Sequence, residues 1–427
     1  MVKRLMMLNI LVLLFGINHS LLIPSTISKS PFLDSGGNVV LIGAKIYPSP
    51  SEKPINKGAV VIRAGTIVAL GEEGRIKIPD DLIRIDCAGL TLTAGFWNSH
   101  VHFIEPKWEN APSIPASQLT QQLQDMLTRY GFTTVFDTGS HWENTKAIRQ
   151  RIESGAIDGP RIFSTGEILF SKGGTPPPNL IKPYGNIARK MPEPENIQQA
   201  VELVQKQLES GVDAVKIYAQ TWWNPSLKMP LEIVKAIVAE AHHHHKLVFV
   251  HPSNSDGLEA TIESGADILV HTTPPTGPWT EALLIRMRKA NIALIPTLKL
   301  WRVELEKSGA PPDAVRGFQD GGVFQLRAYF QAGGQILFGT DLGYITDYDP
   351  SEEYQQMKRA GMRFQDIISS LTTAPAERFR MSDRIGRIAP GMDADIVLLA
   401  GDPATQIEAL SNVRYTLRRG KIIYQWK

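Results

Sequence analysis

The chain has a single cysteine, Cys87, among its 427 residues. One thiol excludes an intramolecular disulfide and any cysteine-built zinc or iron–sulfur site, so a metal here must be held by His, Asp, Glu or something less usual. An excess of charge of one sign is also lacking: 45 Lys and Arg face 43 Asp and Glu, a formal net charge of +2. That balance gives no electrostatic case for nucleic acid or an anionic membrane as a partner. What the chain does have is apolar bulk. At 43% hydrophobic and 21% charged residues it is no disordered chain. A chain of this length can bury roughly three quarters of its unfolded surface.

The apolar run Leu5–Ile17, broken only at Asn9, follows Lys3 and Arg4. It makes about 20 Å of helix, short of the roughly 30 Å bilayer core. A positive start, a short apolar centre and a polar exit read as a secretory signal peptide. Asn18, His19 and Ser20 offer no A-x-A cleavage pattern, so an uncleaved anchor is the alternative. The expectation is an exported protein, periplasmic or secreted, with no stable membrane span once residues 1–30 are removed.

The middle of the chain repeats an amphipathic stretch, a glycine and an apolar strand ending on a polar residue. Ser117–Tyr130 carries Leu119, Leu123, Met126 and Leu127 on one face, then Gly131, then Thr133–Asp137. Glu195–Ser210, with Ile197, Val201, Val204 and Leu208, leads through Gly211 to Ala214–Tyr218. Leu231–His245 leads to Val248–His251, Ser255–Ser264 through Gly265 to Ile268–His271, and Gly334 to Ile336–Asp341. Glycine suits the left-handed position that ends a helix, and unbroken apolar strands point to a parallel sheet. With Phe96–His102, Arg161–Gly166 and Ala293–Leu298 the strands number eight, which predicts an α/β fold built on a (β/α)8 TIM-like barrel. An open doubly wound sheet is the runner-up, but no glycine-rich nucleotide fingerprint follows any strand.

Short β runs fill both flanks: Val39–Ile46, Ala59–Leu70 and Leu82–Asp86 on one side, Asp395–Leu399, Tyr415–Leu417 and Ile422–Tyr424 on the other. They predict a small β-sandwich formed by both chain ends, residues 36–92 and 384–427, around a barrel over 93–383.

His100-Val101-His102 is the strongest local signal. Period two on a strand points both rings the same way, toward one ion beyond the strand end. Two packed histidines would be the commoner meaning of such a pair alone. His251, His271 and Asp341 each close a predicted strand, however, and strand ends of a barrel converge on one axis. Lys216 sits inside an apolar strand, where an ammonium is costly unless paired. One reading is a buried ion pair with Asp137 or Asp341. The other is a carbamate, formed by carbon dioxide on an amine whose pKa, ordinarily about 10.4, has been lowered by burial and nearby cations.

These stretches carry a resemblance. Ala94-Gly95-Phe96-Trp97-Asn98-Ser99-His100-Val101-His102 resembles the first-strand signature of the amidohydrolase superfamily. Val212–Ile217, Gly265–His271 and Gly339-Thr340-Asp341 resemble its later strands, and Gly386–Val397 the segment returning to its β-sandwich. The likeness runs from about residue 38 to the end and is nearest the imidazolonepropionase-related, prolidase-like branch. It implies six metal ligands: His100, His102, Lys216 as the carboxylated lysine, His251, His271 and Asp341. Two divalent ions, zinc expected, would share a water between them, with Asp341 also the proton shuttle. The implied substrate is a small molecule with an amide bond, Xaa-Pro or another dipeptide best suited. Pro252 after His251, and Cys87 in place of a small residue, depart from the family pattern.

Three other readings stand beside this one. A lactone, ester or cyclic-amide hydrolase would use the same ligands. A mononuclear deaminase on this scaffold places a Glu three residues after the fifth-strand histidine, where this chain has Asn254, and lacks the lysine. A non-catalytic binding relative would leave the ligand set without a use. Tyr218 and Thr297 end strands and are candidate substrate contacts. Trp222 and Trp223 wall the pocket or pack the loop beneath it, and His141 is a pocket or surface residue. The tract His242–His245 reads as a solvated helix end facing away from the site, where histidines oppose the helix dipole. A homo-oligomer is possible.

Overall fold

The computed structural model describes residues 37–177, 191–221, 223–224 and 226–426. The leader, much of the loop Phe170–Lys190 and Trp222 lie outside the described residues. Among those described, no helix is long and apolar enough to cross a membrane.

The chain opens with β1 (Val39–Ile46), β2 (Ile55–Arg63), β3 (Thr66–Glu72), β4 (Ile83–Asp86) and β5 (Leu90–Ala94). The expected single run Ala59–Leu70 is two strands. Ala64 and Gly65 both take positive φ, +46° and +77°, which turns β2 back on β3 as an antiparallel hairpin. All eight middle strands are present: β6 (Phe96–Val101), β7 (Phe132–Asp137), β8 (Arg161–Ser164), β9 (Val215–Tyr218), β10 (Val248–His251), β11 (Ile268–Val270), β12 (Ala293–Ile295) and β13 (Gln335–Ile336). The chain ends with β14 (Ile396–Ala400), β15 (Val413–Arg418) and β16 (Lys421–Gln425).

The two chain ends meet in one eight-stranded sheet, ordered β16-β15-β14-β5-β1-β2-β3, with β4 beside β1. The joint is β14 antiparallel to β5, in register from Ile396 opposite Ala94 to Ala400 opposite Leu90. Alternation explains how both faces are covered. Val39 and Leu41 fall in one core cluster with Cys87, and Val40 in another with Ala59 and Val61. Burial pushes the Cys87 thiol up to about 12, so it stays a neutral packing group.

The middle strands form two parallel sheets, β6-β7-β8 and β9 through β13 in sequence order. Backbone hydrogen bonds tie their edges on both sides. Ser99 N donates to Phe338 O, and Leu169 N and Tyr218 N bind across between the chain after β8 and β9. Helices lie between successive strands, giving an α/β, TIM-like architecture. Gly131 and Gly265 end their helices at φ +84° and +76°, as their place in the sequence suggests. The stripe read on the helix Ile197–Glu209 is displaced: Ala200, Val204 and Gln207 are buried, while Ile197 is 51% exposed.

Candidate metal centre

His100, His102, His251 and His271 lie at or just past the C-terminal ends of their strands, Lys216 lies within β9, and Asp341 stands five residues beyond β13. His100 is inside β6 and His102 follows it, and both side chains are buried. Asp341 follows β13, its backbone N bonded to His100 O at 2.9 Å. Gly339 permits that approach: a Cβ there would lie 2.4 Å from Ile295 Cγ2 and 2.9 Å from His100 Cβ. His271 and Asp341 hold left-handed backbones, φ +73° and +63°, unusual for residues with side chains.

His100 Nε2 and His102 Nε2 are 3.0 Å apart, and Asp341 Oδ1 lies 3.2 Å from the first and 3.0 Å from the second. Among the described residues these three form a group with all donor atoms within 4.8 Å of one another. Their spacing fits an ion. Ligand bonds of about 2.0–2.1 Å in a tetrahedron put neighbouring donors about 3.3 Å apart. Asp341 Oδ1 is buried with no hydrogen bond of good geometry to any described residue, so its lone pairs are turned inward with nothing to accept. His102 Nδ1 meets the Gly139 carbonyl at 2.8 Å. A carbonyl can only accept, so Nδ1 carries the proton and Nε2 offers its lone pair to the centre.

The remaining histidines extend the group as a chain of ring contacts. His271 lies 4.9 Å from His100 and His251 lies 4.6 Å from His271, between ring centroids. Thr297 sits beneath His271, its Oγ1 2.6 Å from Nδ1 and 2.9 Å from the Pro296 carbonyl. A hydroxyl has one hydrogen, and the carbonyl takes it. His271 Nδ1 is therefore the donor and its Nε2 faces the centre. Lys216 is 1% exposed, and its ammonium makes no hydrogen bond or ion pair with the described residues. Burial lowers its pKa to about 7, against the raising pull of Asp341. Asp137, the other partner considered for it, is engaged elsewhere: it accepts from Ser140 Oγ at 2.5 Å and Ser164 Oγ at 2.9 Å.

Burial lowers His100 to about 3 and carries His251 and His271 well below the ordinary histidine value, with Lys216 adding repulsion. All three are neutral rings at physiological pH. Burial alone would raise Asp341, but His100 and His102 together outweigh it and hold the carboxyl well below the usual range. Neutral imidazoles beside an ionised carboxylate are the protonation states that bind cations.

Tyr218 stacks on His251 at 3.9 Å and on Phe170 at 4.8 Å. Ile168, Phe170 and Met191, with Tyr218 and Trp223 against them, make an apolar wall on that side. The sequence reading missed the support layer: Asp137, Gly139, Ser140 and the Thr297 hydroxyl's role. Only the Asp137–Ser140 spacing near a strand end hinted at it. Asn254 caps the helix Ser255–Ser264, accepting from Gly257 N at 3.1 Å. His242 pairs with Asp267 at 2.8 Å and His244 with Glu240 at 3.1 Å, away from the centre as read.

The sequence matches the amidohydrolase family over residues 91–423. A 43-residue stretch is 56% identical to adenine deaminase 2 of Shouchella clausii, covering 10% of this chain and 7% of that protein. Another, of 105 residues, is 30% identical to the amidohydrolase tasK of Hapsidospora irregularis, covering 22% of this chain and 11% of that protein. The chain thus spans a small part of either relative. Among solved structures, a Xaa-Pro dipeptidase with methionine bound in its active site superposes with TM-score 0.76 at 23% identity, covering 91% of this chain and 100% of that one. A prolidase complexed with N-methylphosphonate-L-proline gives 0.74 at 25% identity, again covering 91% and 100%. The family generally uses divalent metals, and a buried His–His–Asp cluster stands ready here. On the family match over more than half of its length, the chain belongs to the amidohydrolase family, with a Xaa-Pro dipeptidase and a prolidase among its structural neighbours.

Proposed function

We propose that this chain is a binuclear metal-dependent hydrolase that cleaves an amide bond in a small molecule, Xaa-Pro or another dipeptide best suited. The observation that carries the reading is the convergence of His100, His102 and Asp341 donor atoms within 4.8 Å, continued by His271 and His251. Lys216 would supply the bridging anion as a carbamate. Its amine, lowered to about 7 by burial, is substantially neutral at pH 7 and nucleophilic toward carbon dioxide. His100, His102, Lys216, His251, His271 and Asp341 would hold two divalent cations, zinc expected, which would supply a water of lowered pKa and a Lewis acid for the scissile carbonyl. Asp341, ionised beside His100 and His102, accepts the proton of that water and passes it to the leaving nitrogen. Tyr218, kept neutral because burial pushes its hydroxyl up, is a donor for the substrate, and the wall of Ile168, Phe170 and Met191 suits an apolar side chain. Thr297 acts through His271.

The same reading takes the middle sheets, residues 93–383, as a closed eight-stranded barrel, the chain-end sheet as a sandwich, and residues 1–30 as an export leader. A lactone or ester hydrolase remains the second reading, since the apolar wall would serve it equally. The deaminase alternative loses ground because Asn254, standing where its shuttle would be, is spent on a helix cap. Metal content per chain and a hydrolysis screen over dipeptides, N-acyl amino acids and lactones test the proposal. Two ions and amide turnover are expected. One ion with deamination of a ring, or no bound metal, sinks it.

A further inference from the structure

At the opposite ends of the same strands lies a cavity of about 480 Å³, floored by Leu247, Ile292 and Tyr329 and rimmed by Arg288, Arg378 and Arg380. We infer that this cavity binds a small molecule through an oxyanion, a carboxylate or a phosphate, held by these three guanidiniums. Arg378 is set deepest, its side chain 9% exposed. One of its terminal nitrogens is anchored on the carbonyls of Asp267 and Asn291, ahead of β11 and β12. Its Nε is buried without an acceptor among the described residues. Burial lowers its pKa against the raising pull of Asp267, whose carboxylate lies 4.0 Å away.

Arg288 and Arg380 are exposed, and their guanidiniums form no ion pair or hydrogen bond with the described residues. A smaller adjoining cavity shares Leu247, Arg378 and Arg380 and adds Lys246, whose charge acts on Asp213 in the same lining. The carboxylates nearby are largely committed. Asp267 accepts from His242 and from Val248 N, each at 2.8 Å, and Asp213 pairs with Arg149 at 2.7 Å. Glu377, also on the rim, has no side-chain ion pair among the described residues. Guanidinium forks match carboxylate and phosphate oxygens, and Arg288 and Arg380 present theirs to the cavity. The volume, within the usual range for metabolite-sized ligands, leaves room for an apolar body over Tyr329 and Ile292. Tyr329 itself is closed to polar contact, its hydroxyl spent on the Ile292 carbonyl at 2.5 Å.

Titrating the metal-loaded full chain with inorganic phosphate and, separately, with succinate tests this, against sodium chloride at equal ionic strength. Calorimetry and melting temperature are the readouts. Saturable binding of either oxyanion is expected, and which one binds assigns the class. The Arg288→Ala/Arg380→Ala double variant should lose at least about tenfold in that affinity while hydrolytic turnover stays unchanged. Glu377→Gln removes the opposing charge and should tighten binding several-fold, a gain that misfolding cannot mimic. Chloride matching both oxyanions, or unaltered affinity in both variants, overturns the inference.

Discussion

The Nδ1 of His271 and the Oγ1 of Thr297 are 2.6 Å apart, and both residues hold left-handed backbones, φ +73° and +45°. Each such position costs roughly 1–3 kcal/mol and persists only where surrounding structure over-determines it. Here the strain aims one imidazole nitrogen at the cluster and gives the other a fixed acceptor.

Thr297→Val keeps the shape and the β-branched backbone demand but removes that acceptor. Loss of such a supporting partner typically costs about 10–100-fold in metal affinity or activity. Competition against a chelator should show at least a tenfold weaker metal complex in a folded protein. Unchanged affinity would mean that Thr297 serves the substrate or the fold instead.

If Lys216 carries the proposed bridging anion, Lys216→Ala should remove most bound metal and most turnover. Small added carboxylic acids should restore part of both. Elemental analysis decides it: a mutant with two ions per chain and near-normal rate rules out a bridging carbamate.

Asp341→Asn retains shape and one ligating oxygen but cannot take a proton. General acid–base steps contribute about 10²–10⁴-fold in rate. The variant should keep appreciable metal and lose at least about a hundredfold on amides, with less loss on activated esters, whose leaving groups need no proton. If amides and activated esters suffer alike, the shuttle lies elsewhere.

Glu353 is buried and caps the helix Leu298–Lys307, accepting from Leu298 N at 2.8 Å and Lys299 N at 2.9 Å. Burial pushes its carboxyl up to about 7 from an ordinary 4.5. The folded chain then keeps a proton that the unfolded chain has released. This group's stabilisation is full below pH 4.5 and is lost as pH rises through 7. Between these limits the slope approaches about 1.4 kcal/mol per pH unit. Glu353→Gln should flatten that part of the denaturation profile between pH 5 and pH 8. Equal slopes in both proteins would show that Glu353 stays ionised throughout.

The sequence by itself determined the strands and what ends them. Helical spacing before Gly131 and Gly265, then unbroken apolar runs, are local patterns. A period of two in His100-Val101-His102 dictates a shared direction wherever the strand ends up. Local pattern could not say that Ala64 and Gly65 turn a single apolar run into a hairpin, because both partners look alike along the chain. Nor could it show that Asp137 is satisfied by Ser140 and Ser164 while the Lys216 ammonium finds no partner among the described residues. It could not choose which nitrogen of His102 or His271 carries the proton. Those choices belong to the tertiary structure, for a tautomer is set by whichever acceptor folding brings within about 3 Å. The Gly139 carbonyl and the Thr297 hydroxyl arrive from other strand ends, 37 and 26 residues away in the chain.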